Sequence, residues 1–261
     1  MSESDATRAD VCALAVAECV RSDGVSLVSA MGTTPSLGAR LAKATFAPDL
    51  LMTDGFNLLL RRALPLGEKP SESDVEGWMP FGSVFETLWW GRRHVMMGAS
   101  QIDRFGNQNI ACIGDWARPK AQLLGVRGAP GNTINHVTSY WVPNHNSRAL
   151  VERVDLVSGV GYDRAGALAA GGGRYHEIRR VVTNLCVFDF ETPDRRMRLA
   201  SLHPGVELQQ VLDNTGFEPV IPDGLDTTPV PTPETIRAVS YTHLRAHETG
   251  SGISYAVFCL K

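Results

Sequence analysis

Hydrophobic and polar positions along this chain follow two rhythms, one near 3.6 residues and one near two. Behind Thr7-Arg8-Ala9-Asp10, which has the form of a capping box, Val11, Leu14, Ala15 and Cys19 recur at helical spacing until Asp23-Gly24 stops them. This predicts a helix over residues 8–22. Residues 25–30 (VSLVSA) read as a strand, and Met31-Gly32-Thr33-Thr34-Pro35 turns into a second helix over 36–45. The start of that helix could receive an anion, although any strand-to-helix turn has a similar form. Residues 50–53 make a short strand ending at Asp54-Gly55. A strand, a helix and a strand in such close succession form a βαβ unit, which predicts a parallel sheet and an α/β class.

Residues 61–77 are polar, charged and interrupted by Pro65 and Pro70, the pattern of a surface excursion. Phe81, Val84, Phe85, Leu88 and Trp89 then fall on one helical face, with Trp78 and Trp90 close by. Two readings stay open: a core helix, or aromatic area lining a pocket for a bulky apolar substrate. Strands are predicted over 94–103, 109–113 (after a tight turn at 104–107), 137–142, 154–160 and 181–190, the last half-buried. Gly171-Gly172-Gly173 reads as a flexible connector. His203-Pro204-Gly205 introduces a helix over 206–213, and Thr232-Pro233-Glu234 opens one more with threonine as its cap. Residues 240–250, SYTHLRAHETG, continue no pattern and resemble translated adapter sequence. The expected organisation is therefore one domain over 1–239 and an out-of-pattern tail over 240–261, whose His243, His247 and Cys259 are not taken as a metal site.

Composition narrows the function. At 261 residues, with 43% apolar and 20% charged positions, the chain suits a globular protein with a sizeable core. A net charge of −3 and the lack of a basic tract give no reason to expect nucleic acid. No apolar run of about 18 residues suggests a membrane span, and the acidic start MSESDATRAD does not read as a signal peptide, so the cytoplasm is expected. The five cysteines have no CxxC spacing and sit in apolar segments, as small buried hydrophobes do.

The richest stretch is residues 123–135, LLGVRGAPGNTIN. Leu123, Leu124 and Val126 read as the end of a buried strand, and Gly125, Gly128 and Gly131 allow turns or close backbone approach. Arg127 adds a permanent charge and a planar fork of donors. The segment could hold a carboxylate, a phosphate or a developing oxyanion, or it could be an ordinary strand-to-helix loop.

Taken together, MGTTPSLGARLAK at 31–43, Thr53-Asp54-Gly55, GASQIDRFGNQN at 98–109, LLGVRGAPGN, RVDLVSGVGY at 153–162, VTNLCVFDF and LHPGVELQQVLDNTGFE resemble, in this order, the beta subunits of family I coenzyme A transferases, the glutaconate type above all. The likeness covers about residues 8–237. It implies a three-layer α/β subunit with an open, mostly parallel sheet, paired with a homologous alpha subunit in an α2β2 assembly. Active members place a glutamate where this chain has Thr53, and that carboxylate forms an anhydride and then an enzyme-bound thioester. Threonine cannot do this, because its alkoxide needs an adjacent base and yields no exchangeable anhydride. Asp54 is one position away, on the opposite face of a strand.

A family I fold without its glutamate looks like the actinobacterial steroid ring-cleaving branch, which hydrolyses a ring C–C bond of a cyclic β-diketone-type CoA thioester. That likeness implies no covalent glutamyl intermediate and no cofactor beyond the CoA of the substrate. It points to Arg127 as the catalytic oxyanion or enolate stabiliser, to Thr53, Asp54, Gly128, Gly131 and Asn132 as substrate-binding, and to a general base on the alpha subunit. His136 and His145 are alternatives for proton transfer. A true CoA transferase with its nucleophile elsewhere, or a non-catalytic subunit, remains as an alternative.

Overall fold

In the computed structural model, which describes residues 6–168, 171–235 and 237–238, the capping box at Thr7 forms as predicted. Thr7 Oγ1 accepts from the Asp10 amide, and the Thr7 amide donates to Asp10 Oδ2 at 2.9 Å, so two N–H groups that the first helical turn leaves over are satisfied. The helix it opens, α1 (Arg8–Glu18), ends earlier than the predicted 22, because residues 19–23 tighten into three-residue turns before Gly24 reverses the chain at φ +58°.

Two units follow from the contacts, one of residues 6–94 with 229–235 and 237–238, and one of the described residues between 95 and 228. In the first, α1 packs on α2 (Thr33–Ala44) across Gly38, where a Cβ would lie 2.5 Å from Val16 Cγ1. Strand β1 (Leu27–Ala30) precedes α2, and Leu27 bridges Leu51 in parallel, which confirms the βαβ unit. Ala13, Ala17, Val28, Leu37, Leu41 and Leu50 form the core beneath these elements. Lys43 is buried there, its Nζ donating to the carbonyls of Pro48 (3.0 Å) and Leu50 (2.6 Å), and burial lowers its pKa.

Beyond Leu51 the chain enters a separate antiparallel sheet, β2 (Met52–Thr53), β3 (Leu58–Leu60) and β4 (Val75–Trp78), in the order β2-β3-β4. The expected surface excursion over 61–77 is thus only partly right. Its second half becomes β4 after a 3-10 turn at Glu72–Asp74, and Asp74 is buried because it accepts from the Ser71 amide and hydroxyl and from Arg62 Nε at 2.6 Å. Helix α3 (Ser83–Trp90) and the start of β5 (Arg93–Gly98) complete this part, with His94 Nδ1 2.6 Å from Asp23 Oδ2 in a buried pair. Thr232 Oγ1 accepts from the Thr235 amide, as expected of a cap.

The second unit continues through β6 (Gln101–Ile102), β7 (Gln108–Asn109), β8 (Cys112–Ile113), β9 (Ala121–Gln122), α4 (Ala129–Asn135), β10 (Val137–Val142), α5 (Tyr162–Ala165), β11 (Glu177–Thr183), β12 (Cys186–Asp189), β13 (Arg198–Leu202), α6 (Leu208–Asp213) and β14 (Asp226–Thr227). Its part of the main sheet runs β5-β10-β11-β12-β13-β14, parallel at β10–β11 and β13–β14 and antiparallel at β11–β12 and β12–β13. The α/β class holds, with an antiparallel hairpin set into the sheet. The core is Val95, Tyr140, Val181, Phe188, Phe190, Met197 and Leu199 with their neighbours.

Three strand predictions are corrected here. Residues 181–190 are not one strand: Thr183 Oγ1 accepts from the amides of both Leu185 and Cys186 at 3.0 Å and folds the chain into a hairpin. Residues 154–160 form no strand: Ser158 and Gly159 meet the backbone of Gln108, but the amides of Asp155 and Val160 are taken by the side chains of Gln101 and Thr133. Leu123, Leu124 and Val126 do not end a buried strand either. β9 stops at Gln122, and Leu124 is 68% exposed. The predicted helix at 206–213 begins two residues late, and the tail over 240–261 lies outside the described residues.

Candidate active site

Thr53-Asp54-Gly55 forms the turn between β2 and β3. Asp54 Oδ1 accepts from the amides of Phe56, Asn57 and Leu58 at 2.9–3.1 Å, and Thr53 Oγ1 accepts from Gly55. This is an Asx-type turn, in which a short carboxylate replaces the missing strand partners. One oxygen of Asp54 is thereby committed to the backbone. The aromatic segment adjoins this turn, since Met79 N donates to Asn57 O at 2.7 Å and Trp78 lies opposite Leu58 in the ladder. The core-helix reading of that segment is corrected. Phe56, Trp78, Phe81, Phe85 and Trp89 are 57–83% exposed, and Phe81 and Phe85 meet edge to face at 5.6 Å.

Arg127, Gly128, Gly131 and Asn132 come together in the second unit, where the loop enters α4 with Gly128 as its N-cap. Arg127 adopts φ +50°, a left-handed conformation that costs a residue with a Cβ roughly 1 kcal/mol and marks backbone held by its surroundings. Its side chain is exposed, and among the described residues no carboxylate pairs with it. Asn132 is buried: its amide donates to Gly128 O at 2.9 Å and its Nδ2 approaches Met97 Sδ at 3.4 Å, so it fixes the loop from behind.

The other motifs turn out to be scaffold. Asp103 accepts from the amides of Phe105 and Asn107 and from Asn107 Nδ2, while Asn107 Oδ1 accepts from the Gly161 amide at 2.8 Å. Burial, with the neighbouring Asp163 carboxylate adding to it, raises the Asp103 pKa despite these donors. Gly161 is required at that contact, because a Cβ there would stand 2.5 Å from Phe105 O. Asp155 likewise ties Gln101 Nε2 (3.0 Å) to the Gly114 amide (2.8 Å). The apolar patterning that predicts strands over 94–103, 109–113 and 154–160 does not reveal this network. Its signal was the clustering of Asn, Gln and Asp in segments otherwise apolar enough to be buried.

His145 has both ring nitrogens engaged, Nδ1 with Thr183 Oγ1 (3.0 Å) and Nε2 with Thr215 Oγ1 (2.9 Å), and burial lowers its pKa to about 4. It is a neutral brace between β11 and the chain after α6. His136 is buried at the end of α4. The described cysteines, Cys12, Cys19, Cys112 and Cys186, are buried, and burial pushes the Cys12 thiol up to about 11. A groove of about 400 Å³ between Arg153 and Arg164 includes none of the residues chosen from sequence. Among the described residues, no group of three His, Cys, Asp or Glu is placed to hold a metal, and no helix is long and apolar enough to cross a membrane.

With this geometry in place, residues 84–214 match the profile of the family described as Coenzyme A transferase. The cholesterol ring-cleaving hydrolase IpdB subunit of Mycobacterium tuberculosis is 53% identical over 233 residues, which is 89% of this chain and 93% of that protein. The crystal structure of Rhodococcus jostii RHA1 IpdAB superposes with a TM-score of 0.85 at 49% identity, covering 90% of this chain and 94% of the matched one. Glutaconate coenzyme A-transferase of Acidaminococcus fermentans shares the fold, with a TM-score of 0.73 at 24% identity over 92% of this chain and 95% of its own.

Proposed function

From the premise that this chain belongs to the coenzyme A transferase family, we propose that it is the beta subunit of a heteromeric hydrolase that opens a ring of a steroid-derived CoA thioester, as its ring-cleaving relatives are named for doing with cholesterol. One observation carries the reading. Thr53, which the sequence resemblance sets where the family's transferases hold a nucleophilic glutamate, is followed by an Asp54 whose Oδ1 is bound by three amides. A pair of residues used in this way suits a site where water, not the enzyme, attacks.

The chemistry is a retro-Claisen hydrolysis of a cyclic β-diketone. Water adds to one ring ketone, and the bond from that carbon to the carbon between the ketones breaks. Its electron pair passes into an enolate, which then takes a proton, leaving a carboxylate and a ketone. Two oxyanions develop in turn, and each needs a donor. Arg127 takes that role in this proposal: its guanidinium is exposed, has no carboxylate partner among the described residues, and offers a planar fork of donors. Gly128 and Gly131 shape the loop around it, Asn132 holds Gly128, and Thr53 leaves room where a longer side chain would stand. The general base is assigned to the homologous alpha subunit, in an α2β2 assembly working in the cytoplasm. CoA enters as part of the substrate, and hydrolysis of this kind requires no resident cofactor, metal, membrane or nucleic acid.

The test uses the co-expressed subunits and a cyclic β-diketone CoA thioester in ¹⁸O-labelled water. One labelled oxygen is expected in the new carboxylate, and borohydride should trap no enzyme thioester. Exchange of CoA with a free acid, together with a trapped adduct on this chain, would instead establish a transferase.

A further inference from the structure

We infer that the aromatic face formed by Phe56, Trp78, Phe81, Phe85 and Trp89 is the seat of the alpha subunit, an inference that rests on reading this chain as a beta subunit. All five residues belong to the first unit. Phe56 closes the turn that Asp54 organises, Trp78 ends β4 beside that turn, and Phe81, Phe85 and Trp89 follow at intervals of four along α3 and the residues before it. Residues four apart on a helix lie one above the other, so the last three form a stripe roughly 12 Å long.

Area decides what covers the face. Side chains that each carry about 150–250 Å² and are 57–83% exposed present together roughly 700 Å² of aromatic surface. A soluble monomer rarely leaves a patch larger than about 300–600 Å² open, whereas one side of a stable protein interface occupies about 800 Å². The acyl end of a CoA thioester is too small to cover it. Shape points the same way. Ligand pockets are concave and half-bury the residues that line them, while Phe56, Phe81 and Trp89 at 72–83% exposure protrude. Protruding aromatics are what a protein partner receives in its own hollows. Exposed Glu76 and Glu86, with the half-buried Ser83, supply a polar rim. The matching surface on the alpha subunit is therefore apolar and hollowed at its centre, with hydrogen-bond donors or cations at its edge. A partner seated there would also lie over the Thr53–Asp54 turn. The docking that buries the aromatics would thus carry the partner's general base to the place where this chain lacks a glutamate.

Two measurements test this without reference to turnover. In the co-expressed complex with the affinity tag on the alpha subunit, Phe85→Ser combined with Trp89→Ser should reduce the co-purified beta subunit at least tenfold. Trp116→Ser, an exposed tryptophan of the second unit, should leave it unchanged. Because the double variant could also fail by misfolding, hydroxyl-radical footprinting of the unmodified complex provides the independent reading. Trp78, Phe81, Phe85 and Trp89 should be labelled at least fivefold less than Trp116. Labelling equal to that of Trp116 would overturn the inference. So would normal assembly of the double variant with a raised KM, which would give the face to substrate, or cross-links joining two copies of this chain through α3. If the footprint holds but the ring-opening assay fails, the interface stands and only the assigned reaction falls.

Discussion

The Asp54 turn and the Arg127 loop both came from sequence as polar residues next to glycine, and the structure uses them in opposite ways. At the turn, the side chain serves the backbone: Asp54 Oδ1 takes three amides and Thr53 takes a fourth. At the loop, the backbone serves the side chain, because Arg127 is held at φ +50° while its guanidinium stays exposed. A carboxylate occupied with its own turn is a poor reagent. A cation on a strained main chain suits the proposed oxyanion role, since outliers of this kind gather at functional sites.

The largest expected effect separates the two directly. Arg127→Met should lower kcat by about 10²–10³-fold, the usual cost of losing one oxyanion donor, with assembly intact. Arg127→Gly should lose as much turnover while its thermal midpoint holds or rises, since glycine accepts a positive φ freely. Unchanged turnover in both would return Arg127 to the surface and favour a scaffold role for this chain.

Next comes a pH effect, which asks whether a histidine belongs beside the loop. Folded His145, with its pKa near 4, binds a proton less readily than the unfolded chain, where the value is about 6.5. The unfolded state therefore gains the proton first as pH falls. Stability from this group should be complete above about pH 6.5 and decline toward pH 4, by on the order of 3 kcal/mol in all. Denaturant unfolding of the complex across that range measures it, and His145→Gln should flatten the slope. A bell-shaped activity profile that lost its acid limb in the same variant would instead make His145 a proton carrier.

Smaller still is the effect at Asp54. Asp54→Ala removes the acceptor of three amides and should cost about 2 kcal/mol, seen as a lower melting temperature. Asp54→Asn keeps an acceptor oxygen and should retain turnover within about threefold. Loss of all activity in the asparagine variant would turn the comparison round and make the carboxylate the reagent. Gly125→Ala, at φ +78°, should cost roughly 1 kcal/mol and loosen the Arg127 loop only slightly.

Local chemistry was legible wherever one short segment held all of it. The Thr7 capping box and the βαβ unit around α2 could be read directly, since each rests on neighbours in sequence. What escaped depended on distant partners or on one side chain competing with the ladder. The 154–160 segment has strand-like apolar residues, yet its Asp155 bonds to Gln101 and Gly114 and draws the chain out of any ladder. The 181–190 run alternates like one strand, but a single hydroxyl at Thr183 folds it in two. The aromatic segment misled in another way. Helical spacing tells which residues share a face but not whether the same chain covers it, and an interface has the periodicity of a core.

The buried Lys43 has a practical consequence. Its ammonium is enclosed by the carbonyls of Pro48 and Leu50, so an amine-acylating reagent that modifies surface lysines such as Lys69 should spare it while α2 stays seated. The rate at which that one amine becomes reactive is then a clock for opening of the βαβ layer, readable by mass spectrometry in an otherwise intact assembly.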